Sequence, residues 1–96
     1  MFARVSKFRM RPGLEAQIAP MLEFARSRLA SIAGLNCSYT MWDDDGNTIT
    51  FAIYDSEAAA AAAATKVREI WSGLAPFLEE PPEVTWYTDV HRLVGQ

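Results

Sequence analysis

Only a few side chains in this 96-residue sequence have the chemistry of a catalytic group. His91 is the single histidine, and histidine is the side chain that most readily exchanges a proton near neutral pH, so it is the candidate general base. Arg4 can stabilise negative charge that develops on a substrate oxygen. The alternatives are an exposed histidine beside Arg92 and an arginine held in an ion pair.

Three aromatic residues in segments that alternate like strands are candidates for ligand contacts: Tyr39, Tyr54 and Trp86. Oxidation of a phenol-type molecule without a cofactor needs a pocket that excludes water, a group that favours the substrate anion, and room for oxygen. Aromatic rings together with Arg4 suit a phenolate in such a pocket. The same side chains would also serve core and interface packing, so both interpretations stay open.

The remaining reactive residues give weaker patterns. A single cysteine, Cys37, cannot form an internal disulfide or a structural zinc site, and it is more often a small buried apolar residue than a nucleophile. Asp43, Asp44 and Asp45 begin like a calcium loop, but the other ligand positions of an EF-hand are missing, which favours a solvated hairpin. The sequence predicts neither a metal ion nor a cofactor.

Size and composition exclude several classes of protein. Half of the residues are apolar and 22% are charged, which indicates one globular domain over residues 1–96. The net charge of -3 disfavours binding to a phosphate backbone, so no nucleic-acid partner is predicted. No apolar run approaches the roughly 18–20 residues of a membrane span, and the N-terminus lacks a leader pattern. We expect a cytoplasmic protein without a membrane segment.

The hydrophobic pattern predicts the order β-α-β-β-α-β, which is the α+β, ferredoxin-like arrangement with both helices on one face of a four-stranded antiparallel sheet. Gly34 stands where a left-handed helix cap is needed, and Ser56 is the predicted N-cap of the second helix. Pro20 predicts a kink in the first helix or a new start near residue 19. The predicted strands cover 2–10, 36–43, 48–55 and 84–93, and the predicted helices cover 14–33 and 57–73.

Both faces of the predicted sheet carry large apolar side chains. In the second strand, Tyr39 and Met41 lie on one face and Trp42 lies on the other. In the fourth strand, Trp86 and Tyr87 lie on different faces. Because helices cover one face only, the other would expose an apolar patch of several hundred Å², of the order that marks an interaction surface. The sequence therefore predicts a homodimer in which a second sheet covers this face. A monomer with scattered surface aromatics is the alternative.

Seven consecutive alanines, residues 58–64, stand at the start of the second helix. Alanine has the highest helix propensity, so this run predicts helix and not disorder. Small side chains allow close packing on the sheet, which is the preferred interpretation, or they leave a cleft. The space beside this helix is where we expect a ligand.

Several segments resemble the antibiotic biosynthesis monooxygenase-like family of dimeric α/β barrels. They are Met1–Arg9, Pro12–Gly13, Ile32–Leu35 and Ile53–Ala58, which mark strand starts, turns and caps along nearly the whole chain. The resemblance implies a homodimer in which two sheets face each other. For function it implies one of three cases: a cofactor-independent monooxygenase of aromatic polyketides or quinol-type molecules, a haem-degrading enzyme, or a protein without known activity.

The departures from the family narrow these implications. Haem-degrading members carry an asparagine on the first strand, and a tryptophan and a histidine on or near the second helix; here the first strand offers Ser6 and Lys7, and the helix begins with alanines. Tyr54 stands where many relatives have tryptophan. We therefore expect a cofactor-independent monooxygenase-like protein acting on a small aromatic or quinol-type molecule. The alternative is a non-catalytic small-molecule-binding or structural dimeric α/β barrel.

Overall fold

The elements follow the predicted β-α-β-β-α-β order. The computed structural model describes residues 1–95, and it describes the side chains of all of these except Glu15. None of the helices in this part of the chain is long and apolar enough to cross a membrane. The elements are β1 (Phe2–Arg9), α1 (Glu15–Leu29), β2 (Leu35–Trp42), β3 (Asn47–Tyr54), α2 (Glu57–Leu74), a short 3-10 turn (Ala75–Phe77) and β4 (Glu83–Tyr87).

The four strands form one antiparallel sheet in the order β2-β3-β1-β4, which confirms the α+β, ferredoxin-like prediction. A register shift between Leu35 and Cys37 in β2 is the irregularity in the ladder between β2 and β3. The sheet of this single chain is open and does not close into a barrel. The hairpin between β2 and β3 is the predicted solvated turn, in which hydrogen bonds from Asn47 lower the pKa of the Asp43 carboxyl.

The first helix differs from the prediction at its centre and at its end. α1 runs through Pro20 as one helix and does not restart near residue 19. Proline at this position removes a single backbone donor, and because Ala16 and Pro20 are exposed, water can satisfy the carbonyl left free. The helix ends at Leu29 instead of Ala33, so Gly34 does not cap it, although Gly34 has the predicted positive φ of 80°.

The last strand is shorter than predicted. β4 ends at Tyr87, whereas the sequence pattern extended it to Leu93. β4 is an edge strand that pairs only with β1, and Tyr87 is already opposite Ala3, near the start of β1. Residues beyond Tyr87 therefore have almost no partner strand left for their backbone groups. The predicted general base His91 consequently lies outside the sheet.

The apolar core lies at one end of the layer between helices and sheet. The alanines of α2 pack closely there, with Ala60 and Ala63 buried against Ala52 and Tyr54. Ser56 caps the helix as predicted, because its Oγ accepts a hydrogen bond of 3.1 Å from the backbone N–H of Ala59. The prediction that the alanine run allows close packing is confirmed for this half of α2.

Replacing Gly34 with alanine should cost more stability than replacing Gly13. Both glycines have positive φ, 80° and 82°, which costs a residue with a side chain about 1–2 kcal/mol. A Cβ on residue 34 would also lie 2.6 Å from Ala59 Cβ, whereas one on residue 13 would have no neighbour within 4 Å. Urea denaturation should show a loss of about 3 kcal/mol for Gly34→Ala and about 1 kcal/mol for Gly13→Ala. Equal losses would contradict the close approach of Gly34 to α2.

Candidate functional site

The sheet face beneath the helices combines large apolar side chains with a group of polar ones. Strand register places Ser6 opposite Thr50, Thr50 opposite Thr40, and Arg4 opposite Ala52 on this face. A face covered by helices is normally apolar, so these polar groups are unusual there. The face without helices also carries large apolar side chains: Val5, Tyr39, Met41, Ile49, Phe51, Ile53 and Tyr87.

A cavity of about 400 Å³ lies between the helix-covered face of the sheet and the two helices. This volume lies within the usual range for small-molecule sites. The helices contribute apolar walls, and the sheet contributes the polar groups of the lining. The wall residues are Ile18, Met21, Leu22, Ala25 and Leu29 of α1 and Val67, Ile70, Trp71 and Leu74 of α2; the sheet residues include Arg4, Phe8, Ser38, Thr40, Trp42 and Thr50.

The Arg4 guanidinium lines this cavity and is almost completely removed from solvent, with 7% of the residue exposed. Its Nε has no hydrogen-bond partner, and no ion pair of Arg4 is seen among the side chains that the structure describes. Burial lowers the pKa of the guanidinium from its ordinary value, and nearby Tyr54 opposes this shift. Arginine nevertheless stays protonated in proteins, so a positive charge lies buried without a counter-charge.

Hydroxyl groups lie on the same face of the sheet as this charge. Thr50 Oγ1 lies 2.9 Å from Thr40 Oγ1, and when Thr50 donates, the Thr40 hydroxyl keeps its own proton for a ligand. Ser38 Oγ donates to the backbone carbonyl of Phe51 at 2.9 Å. Ser6 is fully buried and its Oγ has no partner. Arg4 and the Thr40–Thr50 pair therefore offer donors to a ligand that carries acceptor oxygens.

The residues predicted from the sequence do not all meet at this cavity. Arg4 and Tyr39 belong to its lining, although the Tyr39 ring packs against Phe51 on the opposite face, with ring centroids 5.4 Å apart. Tyr54 belongs to the buried core beside the cavity. Trp86 stacks on Phe2 at 5.3 Å and is half exposed at the edge of the sheet.

His91 lies after β4 and is not among the lining residues. Its side chain is 80% exposed, and its Nε2 is 3.9 Å from an Asp89 carboxylate oxygen. Its assignment as a general base stays a prediction. Cys37 lies on the face without helices and is half-buried. Over residues 1–95, the structure contains no cluster of three or more His, Cys, Asp and Glu side chains that could hold a metal ion.

The sequence led us to expect a ligand in the space beside the second helix, and the cavity lies beside the second half of α2 and not beside its alanines. The hydroxyl row was missed. Ser38, Thr40 and Thr50 alternate with apolar residues in β2 and β3, and because such alternation normally marks a solvated face, the pattern gives no sign that these hydroxyls lie beneath the helices.

Replacing Arg4 with methionine should stabilise the unliganded protein. Methionine has a similar length and no charge, so the substitution removes a buried cation that has no counter-ion. We expect the free energy of unfolding in urea to rise by about 1–3 kcal/mol, and Arg4→Lys, which retains the charge, should give no such gain. A loss of about 3–5 kcal/mol for Arg4→Met would instead show that the guanidinium belongs to a structural ion pair.

No protein-family model and no curated protein sequence matches this chain. Solved structures do resemble it in fold. A protein of unknown function from Nitrosomonas europaea, NE2512, superposes with a TM-score of 0.79 and 18% identity, over 99% of this chain and 94% of that one.

Two further structures link this fold to oxygenases. SnoaB from Streptomyces nogalater, described as a cofactor-independent oxygenase, has a TM-score of 0.77 and 14% identity, over 96% of this chain and 95% of that one. A Nitrosomonas europaea protein provisionally assigned as an antibiotic biosynthesis monooxygenase has a TM-score of 0.78 and 13% identity, over 95% and 100% of the two chains. At this level of identity the likeness concerns the fold. The chain therefore has the ferredoxin-like fold found among antibiotic biosynthesis monooxygenases.

Proposed function

We propose that the cavity between the helices and the sheet binds a small aromatic or quinol-type molecule, which the protein oxidises with molecular oxygen and without a cofactor. The observation that carries this proposal is the cavity itself, with apolar helix walls on one side and Arg4 among hydroxyl groups on the other. A flat ring fits between such walls while its oxygen meets the donors. The fold shared with SnoaB supports the proposal by analogy.

The reaction assigns simple roles to the lining residues. One oxygen atom of O₂ replaces a ring hydrogen, the other leaves as water, and the quinol-type substrate supplies all four electrons as it becomes a hydroxylated quinone. Loss of the substrate proton makes the ring electron-rich, and Arg4 favours that anion. The apolar side chains of α1 and α2 exclude water from the reacting anion.

The proton acceptor is proposed to be His91, the only histidine of the chain. Because His91 follows β4 and lies outside the cavity, it serves this site only if the C-terminal segment bends toward it. The variant His91→Gln separates a reaction that needs this base from one in which the substrate ionises beside Arg4 unaided.

A binding or sensing module is the second candidate function, and the composition of the lining favours it. Among the lining residues whose side chains the structure describes, the ionisable ones are Arg4, Arg26 and Tyr39, with no carboxylate and no histidine. A cavity with few groups that move protons suits retention of a ligand without chemistry.

We infer that a second copy of the chain covers the apolar face of the sheet. Tyr39, Met41, Ile49 and Tyr87 are exposed there, and no element of this chain packs over them within residues 1–95. Sheet-on-sheet packing would bury these side chains and close the open sheet into the dimeric barrel that the sequence predicts. The homodimer stays a prediction that association measurements test.

Oxygen consumption tests the proposed reaction. With a panel of hydroquinones under air, the protein should take up oxygen faster than buffer, and Ala25→Phe, which fills the cavity, should lower the rate at least about tenfold. The matched control is Ala61→Phe, which adds the same ring to the exposed face of α2 and should leave the rate unchanged.

Uptake no faster than buffer would contradict the oxidation. If apolar ligands still raise the melting temperature under those conditions, the binding module is supported. A rate that His91→Gln leaves unchanged would remove that residue from the reaction.

Met41→Glu should separate the two copies. This substitution places a charge on the apolar face, where burial against another sheet would remove it from water at a cost of several kcal/mol. Sedimentation at micromolar concentration should show twice the 10.7 kDa chain mass for the wild type and a single chain for the variant. Ala61→Glu, on the exposed side of α2, is the control and should remain associated. A wild-type protein that sediments as a single chain would contradict the covered face.

A further inference from the structure

We propose that the cavity selects aromatic ligands that already carry a negatively charged oxygen, and that Arg4 is the residue that recognises this charge. The inference rests on the cavity named in the proposed function, but it does not depend on oxygen chemistry. It defines the ligand class as an amphipathic anion, either an arene carboxylate or an ionised hydroxyarene.

No acidic side chain that the structure describes is placed to neutralise Arg4. Of the twelve acidic residues, all except Glu15 have described side chains, and those eleven are exposed. None of them belongs to the cavity lining. A guanidinium buried to this extent is normally paired, so the missing counter-charge is expected from a ligand.

One edge of the Arg4 guanidinium has a nitrogen without a hydrogen-bond partner. The buried Nε–H is free, and the Nε edge of a guanidinium, together with the neighbouring terminal nitrogen, forms the two parallel hydrogen bonds that a carboxylate accepts. An ionised hydroxyl oxygen accepts the same hydrogens singly. Lysine presents a point charge and not this planar edge, so Arg4→Lys keeps the charge but loses the paired geometry.

Hydroxyl groups, and no described carboxylate, accompany Arg4 on its face of the sheet. Ser6 lies two residues along on the same face of β1, fully buried and with its Oγ free, and Thr50 stands opposite it on β3. Thr40 and Thr50 share one hydrogen bond, which leaves one hydroxyl proton of the pair available. Donors without a neighbouring carboxylate complement an anion with several lone pairs.

The size and the apolar walls of the cavity limit which anions can fill it. A free inorganic anion would occupy a small part of about 400 Å³, whereas the walls formed by residues such as Leu22, Ile70 and Trp71 are apolar. A ligand that fills the cavity therefore has an apolar body with its charge at one end.

A second copy of the chain does not supply the missing counter-charge. Arg4 lies on the helix-covered face, on the same side as Ser6 and Thr50, whereas the proposed dimer covers the opposite face that carries Val5 and Phe51. The sheet itself separates the partner from the guanidinium.

Binding measured by calorimetry without oxygen tests the inference with matched probes. 2-Naphthoate carries a carboxylate, 2-naphthamide is its neutral counterpart, and 2-hydroxy-1,4-naphthoquinone is an ionised hydroxyarene at neutral pH. We expect at least one of the two anions to bind at least tenfold more tightly than the amide. The anion that binds more tightly shows whether the site prefers a carboxylate or an ionised hydroxyl group.

The variants assign this preference to Arg4. Arg4→Gln should remove the discrimination between naphthoate and naphthamide, and Arg4→Lys should retain part of it, provided that circular dichroism shows both to be folded. Lys66→Gln removes one positive charge from the exposed surface of α2 and should keep the wild-type preference. If Arg4→Gln does not fold, the partial preference of Arg4→Lys relative to wild type decides the point.

Equal affinity for anionic and neutral probes, or no binding of any probe at millimolar concentration, would overturn the inference. So would an Arg4→Lys variant with the full wild-type preference. Anion preference in a protein that consumes no oxygen would retain the inference and reject the oxidation. Oxygen uptake with equal binding of neutral and charged probes would reject the inference and retain the oxidation.

Discussion

A four-stranded sheet that receives both helices on one side leaves its other face bare, and in this chain both faces carry large apolar side chains. The face beneath the helices also carries Arg4 and a row of serine and threonine hydroxyls. Burying an unpaired cation and free hydroxyls costs stability. The rest of the molecule follows from this distribution: an apolar face available for a partner sheet and a polar-floored cavity inside.

The two halves of α2 pack differently on the sheet face beneath the helices. Near the start of α2, alanine side chains allow close contact with the sheet, and Gly34 admits Ala59 where a Cβ would collide. Farther along, Trp71 and its neighbours are too large for such an approach and form a wall over the hydroxyl row. One helix thus produces both a dry core and a cavity, because residue size changes along it.

The likeness to solved structures concerns the fold and not shared side chains. Identities of 13–18% accompany TM-scores of 0.77–0.79, so the order of elements persists while the lining is free to change. The fold carries known oxygenase activity in SnoaB. What this chain does depends on its own lining, in which Arg4 is the distinctive group.

The sequence by itself determined the order of elements, the antiparallel sheet and the turns at Gly34 and Ser56, because alternation, helical spacing and caps are local signals. It also determined that both faces of the sheet carry large side chains. Tertiary structure alone decided that the hydroxyls point inward, that β4 ends at Tyr87 and that His91 lies outside the cavity. Periodicity defines the two faces of a strand but does not state which face the helices cover. The length of an edge strand depends on how many residues of the neighbouring strand remain to pair with it. Those outcomes depend on contacts between distant segments, which no local pattern contains.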